Sequence, residues 1–304
     1  MNDSSETGLD RRMVLKLAGA AALSSACTAA AAEPGARPPG GKHGSVRSAD
    51  GTEIGYTRFG QGAPVVVVHG TLTVQDDWAA FAQKLGATRT VYLYDRRGRG
   101  RSPDLGKPYS LDREIDDLVA MVNLAGPGAA ILGHSFGGGC ALAYALREKF
   151  AGRLMLYEPM NSIPAPIAGD RLPRMRTLIE QNQLDAALEY ALENIVRLSK
   201  HEIEMFKKAP LWPGMVAMAP ACLNEFTALD TIKPSVADAG SLRARVWLLL
   251  GTESPHEPNR TRSAALVDRI PGLTLYPVPG QGHVAYLLDP SLLAKLVARC
   301  LADV

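Results

Sequence analysis

The chain has 304 residues, 46% hydrophobic and 21% charged, which suits one large globular domain or one domain with an insertion. Its 33 basic and 31 acidic residues leave a net charge of +2 without a long block of one sign, and only 6% of residues are aromatic. That pattern offers nucleic acid neither a cationic footprint nor a stacking surface, so the expected partner is a small-molecule substrate and not nucleic acid.

Residues 1–32 read as a targeting segment. Arg11-Arg12 is followed by Leu15-Lys16 and by an uncharged, alanine-rich run from Leu17 to Ala32. The run is weakly hydrophobic, shorter than the ~20 apolar residues of a spanning helix, and ends in small residues suited to cleavage. It resembles a bacterial twin-arginine export signal, which implies a periplasmic or secreted protein with no stable membrane insertion after cleavage. Lipid attachment at Cys27 is the weaker alternative, because Ser24 stands where such sites usually carry leucine. Residues 33–44, EPGARPPGGKHG, read as a flexible linker. Without the first segment, Cys140, Cys222 and Cys300 remain. An odd number argues against a disulfide framework, though not against a single bridge, and none has metal-ligand spacing.

Two strand-like runs flank Asp50-Gly51, a hairpin signal. Val65 to Val68 form an unbroken valine run, which predicts a strand buried on both faces, as in a parallel sheet. A helix is predicted over DDWAAFAQKL up to Gly86, then a strand in TRTVYLYD. Ser110 is placed to cap a helix with an acidic first turn. AAILGHS is a strand, CALAYALREKF a helix and GRLMLYEP another strand. Strand and helix thus alternate four times, which predicts a doubly wound, mostly parallel α/β sheet that binds ligands beyond its carboxyl edge. The alternation resumes with ARVWLLLG, a helix near 259–270, GLTLYPVPG and a helix after Pro290. Residues 160–235 read as helical pieces without valine-rich runs, so they are expected to form an inserted cap, with ordinary peripheral helices as the alternative. The core is therefore assigned to 45–159 and 236–304. Dinucleotide, P-loop and zinc motifs are missing from the sequence, so no cofactor and no metal are expected.

Gly133-His134-Ser135-Phe136-Gly137 ends a strand and opens a helix. A serine in so sharp a turn needs very small neighbours. G-x-S-x-G in this context resembles the nucleophile elbow of the α/β-hydrolase superfamily, and the resemblance extends over residues 45–304. The superfamily orders its site Ser, acid, His along the chain, because a serine hydroxyl attacks only when a positioned base takes its proton. His43 lies in the linker, His201 in the cap, His256 in a polar turn, and His69 and His134 before or inside the serine turn. His283, on the late loop PGQGHVAY, is the expected base.

The resemblance places the acid most often after the next-to-last strand, where GTESPHEP puts Ser254 at the matching position and Glu253 one residue early. Some relatives carry it instead at the end of the strand after the nucleophile helix, where Glu158 stands. Glu158 is the preferred acid and Glu253 the alternative. The resemblance also implies an oxyanion hole from the Phe136 amide and from the Thr71 amide in VVVVHGT, with His69 orienting that loop. YDRRGRGRS resembles a structural turn of the superfamily, with Asp95 and Arg97 expected to pair. Trp78, Met205, Trp212, Met215 and Met218 are expected to wall an apolar pocket.

The expected reaction is hydrolysis of a small or medium, mostly apolar ester or lactone through an acyl-enzyme. A serine nucleophile argues against epoxide hydrolase and dehalogenase chemistry. Cofactor-free haloperoxidase or perhydrolase activity, carbon–carbon bond hydrolysis and non-catalytic ligand binding on the same fold stay open. Substrate identity and oligomeric state are not legible.

Overall fold

The computed structural model describes residues 40–302 apart from 104, 106–107, 163–164, 232–235 and 255–258. The expected export segment, Cys27 and His256 lie outside the described residues. β1 (Lys42–Arg47) and β2 (Glu53–Phe59) form the hairpin around Asp50-Gly51. β1 starts inside the stretch read as a linker: Lys42 pairs with Arg58 and Gly44 with Tyr56. Glycine-rich composition concealed this, because the pairing uses backbone groups that composition does not report.

β3 (Pro64–Val68) leads through a 3₁₀ turn, Gln75–Trp78, into α1 (Ala79–Leu85). β4 (Thr90–Tyr94), α2 (Leu111–Ala125), β5 (Ala130–His134), α3 (Phe136–Arg147) and β6 (Arg153–Tyr157) follow. The Ser110 hydroxyl caps α2 by accepting from the Arg113 amide. The chain then leaves the sheet for α4 (Leu172–Glu180), α5 (Leu184–Ala191), a π-helical turn (Leu192–Val196), α6 (Lys200–Lys208), α7 (Trp212–Ala217), α8 (Ala219–Thr231) and α9 (Val236–Gly240). β7 (Arg245–Gly251), α10 (Asn259–Arg269), β8 (Thr274–Val278), α11 (Ala285–Leu288) and α12 (Pro290–Ala302) complete it.

The eight strands form one sheet in the order β1-β2-β4-β3-β5-β6-β7-β8, parallel from β4 to β8 with the hairpin antiparallel at one edge. Period-two alternation sends Val66, Val68, Ile131, Leu154, Leu156 and Leu248 to one face, against α2, α3, α10 and the helices between β6 and β7. Val65, Val67, Leu132, Met155 and Leu249 face the other side, against α1 and α12. Both faces are dry, which is why the strands carry valine and leucine without polar alternation.

The loop after β4 is held by charge. Asp95 and Arg97 do not pair with each other. The Asp95 carboxylate accepts from the Gln75 amide at 2.9 Å, the Gln75 side chain at 2.6 Å and the Arg101 amide at 2.9 Å. Arg97 instead reaches Asp117 of α2 at 2.6 Å and Asp50 of the hairpin turn at 3.1 Å. Arg96 and Arg99 both donate to Glu225 of α8, and Arg96 also faces Glu114 of α2 at 3.5 Å. All four are buried. Two cations and two anions balance, as a dry cluster requires.

Candidate active site

β5 delivers Ser135 at the carboxyl edge of the sheet with φ 51° and ψ −122°, a conformation a side-chain-bearing residue adopts only under constraint. The constraint is visible in the backbone. The Ser135 amide donates to the Tyr157 carbonyl at 3.1 Å, and its own carbonyl accepts from Gly138 at 2.9 Å and Met160 at 2.8 Å. A Cβ at Gly137 would lie 2.2 Å from the Val68 carbonyl oxygen, and one at Gly133 would lie 2.7 Å from that of Gly137. These two glycines let the elbow fold tightly against β3.

Glu158 follows β6 directly, also at positive φ (43°). Its amide still donates to the Leu249 carbonyl of β7 at 3.0 Å. The carboxylate is fully buried, with both oxygens engaged: Oε1 accepts from the Gly251 amide at 2.9 Å and Oε2 from His283 Nδ1 at 2.8 Å. With Nδ1 turned to the carboxylate, the neutral imidazole presents Nε2 as its acceptor, the nitrogen a general base uses. Ser135, Glu158 and His283 line one cavity. Glu253 is exposed at the end of β7, its amide bonded to the Gln281 carbonyl. The structure thus puts Glu158, and not Glu253, on the imidazole.

A clamp on the histidine loop carries no local sequence signal. His134 Nε2 lies 2.8 Å from the His283 carbonyl oxygen, and because a carbonyl only accepts, that nitrogen carries the proton. The two imidazoles are 4.5 Å apart between centroids. Tyr157 donates to the Gly282 carbonyl and accepts from the Ala285 amide at 3.0 Å. His134 precedes Ser135 and Tyr157 precedes Glu158, so the two strands that carry these residues also hold the loop of His283. Burial, and next the neighbouring His283, keep His134 well below the usual imidazole range, so it stays neutral.

The turn after β3 lies against the elbow: a Cβ on Gly70 would stand 3.1 Å from Ser135 Cβ. His69 holds this turn. Its Nε2 accepts from the Arg96 amide at 3.2 Å, and its Nδ1 donates to the Gly70 carbonyl at 2.9 Å. Burial, and then the Arg96 charge, push its pKa well down. Thr71 follows in that turn, and Phe136 opens α3, where helix geometry leaves the first amides without an intrahelical acceptor. The Arg96 guanidinium stacks 4.4 Å over the Phe136 ring, so the buried ion cluster abuts the elbow.

The pocket differs from expectation. Besides the three polar residues, Met160, Ile167, Ile195, Val196 and Arg262 line the cavity, which is about 20 Å³, room for about one water. Ile195 and Val196 come from the π-helical turn, which ends at Arg197 in the left-handed conformation (φ 70°). Trp78 is instead core: it is fully buried, stacked on Tyr286 at 4.3 Å on the opposite side of the sheet. Met205 is exposed, Trp212 donates its indole N–H to Asp185 at 2.7 Å, and Met215 is buried among the helices after β6. None of these, nor Met218, lines the cavity. Among the described residues, no group of three His, Cys, Asp or Glu is placed to hold a metal ion, and Cys140, Cys222 and Cys300 are buried and form no disulfide.

The profile of the Alpha/beta hydrolase family matches residues 65–296. The chain belongs to that family. The chain is 35% identical over 123 residues to a non-heme haloperoxidase of Rhodococcus erythropolis, a match covering 39% of this chain and 44% of that protein. It is 39% identical over 110 residues to the bifunctional esterase/perhydrolase DCH of Acinetobacter calcoaceticus, covering 34% and 39%. The chain thus spans less than half the length of these curated relatives. An alpha/beta hydrolase from Sphaerobacter thermophilus superposes with a TM-score of 0.74 at 31% identity, over 85% of this chain and 100% of that chain.

Proposed function

We propose that the hydrolase cleaves carboxylic esters through an acyl-enzyme on Ser135. The observation that carries this reading is the Glu158–His283 contact of 2.8 Å in the cavity that Ser135 lines. His283 Nε2 takes the Ser135 proton as Oγ attacks the carbonyl carbon. The oxyanion is held by the Phe136 and Thr71 amides, donors whose individual loss typically costs about 10²–10³ in rate. The imidazolium returns its proton to the leaving alcohol. Water, deprotonated by the same imidazole, then frees the acid and restores Ser135. Glu158 fixes the imidazole tautomer and steadies its charge. The helices between β6 and β7 act as a cap, because Ile195 and Val196 close the apolar side of the cavity.

A fluorophosphonate probe tests the assignment: the folded wild type is labelled once, and Ser135→Ala is not. Labelling that persists in Ser135→Ala rejects it.

Hydrogen peroxide in place of water as the acyl acceptor would give a peracid from the same intermediate. The likeness to the haloperoxidase and to the esterase/perhydrolase favours this second activity. We further propose export through the twin-arginine route, based on Arg11-Arg12 and the run after them. Arg11→Lys combined with Arg12→Lys should strand the precursor in the cytoplasm, and undiminished export would refute the route.

A further inference from the structure

Arg262 of α10 is 6% exposed, yet it lines the cavity of Ser135 and His283. A guanidinium has five N–H donors and no acceptor. Nη1 spends two on the carbonyls of Asn161 and Ala165, and Nη2 spends one on Pro166 at 2.9 Å. Nε is buried without a partner, and no described residue takes the second Nη2 hydrogen. Nε and Nη2 lie along one edge of the planar group. Two parallel donors on one edge form the fork that a carboxylate accepts.

No carboxylate among the described residues fills that fork. Asp230, whose charge reaches Arg262, is taken by the amides of Ile167, Ala168 at 3.0 Å and Gly169 at 2.7 Å. Burying a cation without a counter-ion is unfavourable, and three carbonyls supply no compensating charge. The remaining wall, Met160, Ile167, Ile195 and Val196, is apolar. The acyl part of an ester stays in the site through both half-reactions, so it gains most from a fixed charge. Arg262 lines the same cavity as Ser135, so its partner belongs to the part of the substrate that sits in that cavity.

We propose that the substrate is a monoester of a short dicarboxylic acid, its free carboxylate held by the Nε/Nη2 edge of Arg262. This rests on the serine-hydrolase reading and names its substrate class. The test compares kcat/KM for mono-p-nitrophenyl glutarate with that for its methyl ester, which lacks the charge. The wild type should favour the free acid. In Arg262→Gln that preference should fall by about 10- to 100-fold, the worth of a charge-assisted pair, with partial recovery in Arg262→Lys. The ratio is insensitive to a general loss of folded enzyme. Glutarate should also slow fluorophosphonate labelling of the wild type, whereas glutaramide and inorganic phosphate should not. A ratio unchanged by the substitution, a wild type that favours the methyl ester, or labelling indifferent to glutarate overturns the proposal while leaving the labelled serine hydrolase intact. Failure to label Ser135 at all removes both.

Discussion

Glu158 and His283 stand 125 positions apart in the chain and meet at 2.8 Å between Oε2 and Nδ1. The carboxylate therefore comes from the end of β6, and Gly251, the last residue of β7, contributes a backbone amide to its other oxygen. Glu158→Gln turns the imidazole acceptor into an amide that can no longer stabilise the imidazolium. It should lower kcat by roughly 10³–10⁴, with KM for a p-nitrophenyl ester little changed. Glu253→Gln alters an exposed side chain, and kcat/KM should stay within about twofold. A severe loss in the second variant and a mild one in the first would reverse the assignment.

Gly251 has to be glycine for the acid to sit where it does. A Cβ there would lie 2.8 Å from Glu158 Oε1 and 2.4 Å from the Gln281 carbonyl oxygen, on the loop that carries His283. Gly251→Ala should destabilise the fold by about 1–3 kcal/mol and cut kcat at least tenfold. Urea unfolding and steady-state kinetics on one preparation check both, and a variant with wild-type kcat would show that the loop yields freely.

Glu225 ties α8 to the loop after β4. Glu225→Gln leaves Arg96 and Arg99 with Glu114 alone, and Arg96 meets Glu114 only at 3.5 Å. Uncompensated buried charge should lower the unfolding free energy by about 3–5 kcal/mol. Fluorophosphonate labelling should also slow, because Arg96 packs on the Phe136 ring at the elbow. Denaturant unfolding that matches the wild type would contradict the account of the cluster.

Asp50 gives a dependence of stability on pH. Burial raises its carboxyl, but the hydrogen bonds from Thr52 and Arg97 outweigh that and hold it well below the usual carboxylate range. A pKa depressed in the folded state means a stabilising contribution present above the unfolded value of about 4 and lost as pH falls below it. The stability gap between the wild type and Asp50→Asn should therefore be full at pH 6 and shrink between pH 5 and pH 3. A gap that widens on acidification would reverse the sign.

Much of the fold was legible because both faces of the sheet are buried. The valine run of β3 and the strands LMLY and VWLLL carry no polar alternation, and each is a parallel strand between two helical layers. The elbow was legible because close approach to Val68 leaves only glycine at 137. The pocket was not. Residue type alone points to Trp78 and the methionines, but which side of the sheet a residue faces depends on register, and Trp78 packs on the face opposite the one that carries Ile167 and Ile195 of the cavity. Arg262 carried no local signal, since its role arises where α10 passes carbonyls about a hundred residues earlier. The Asp95–Arg97 expectation failed for the same reason: the partners that decide it, Gln75, Asp117 and Asp50, are distant in sequence.

The central claim is a covalent intermediate on Ser135, and quenched-flow mass spectrometry of the wild type with p-nitrophenyl acetate tests it most directly. The account predicts a burst of nitrophenol matched by one acetyl group on the peptide that contains Ser135, with neither in Ser135→Ala. Turnover without any acylated peptide, or an acetyl group on a different residue that forms and decays at the catalytic rate, would contradict it.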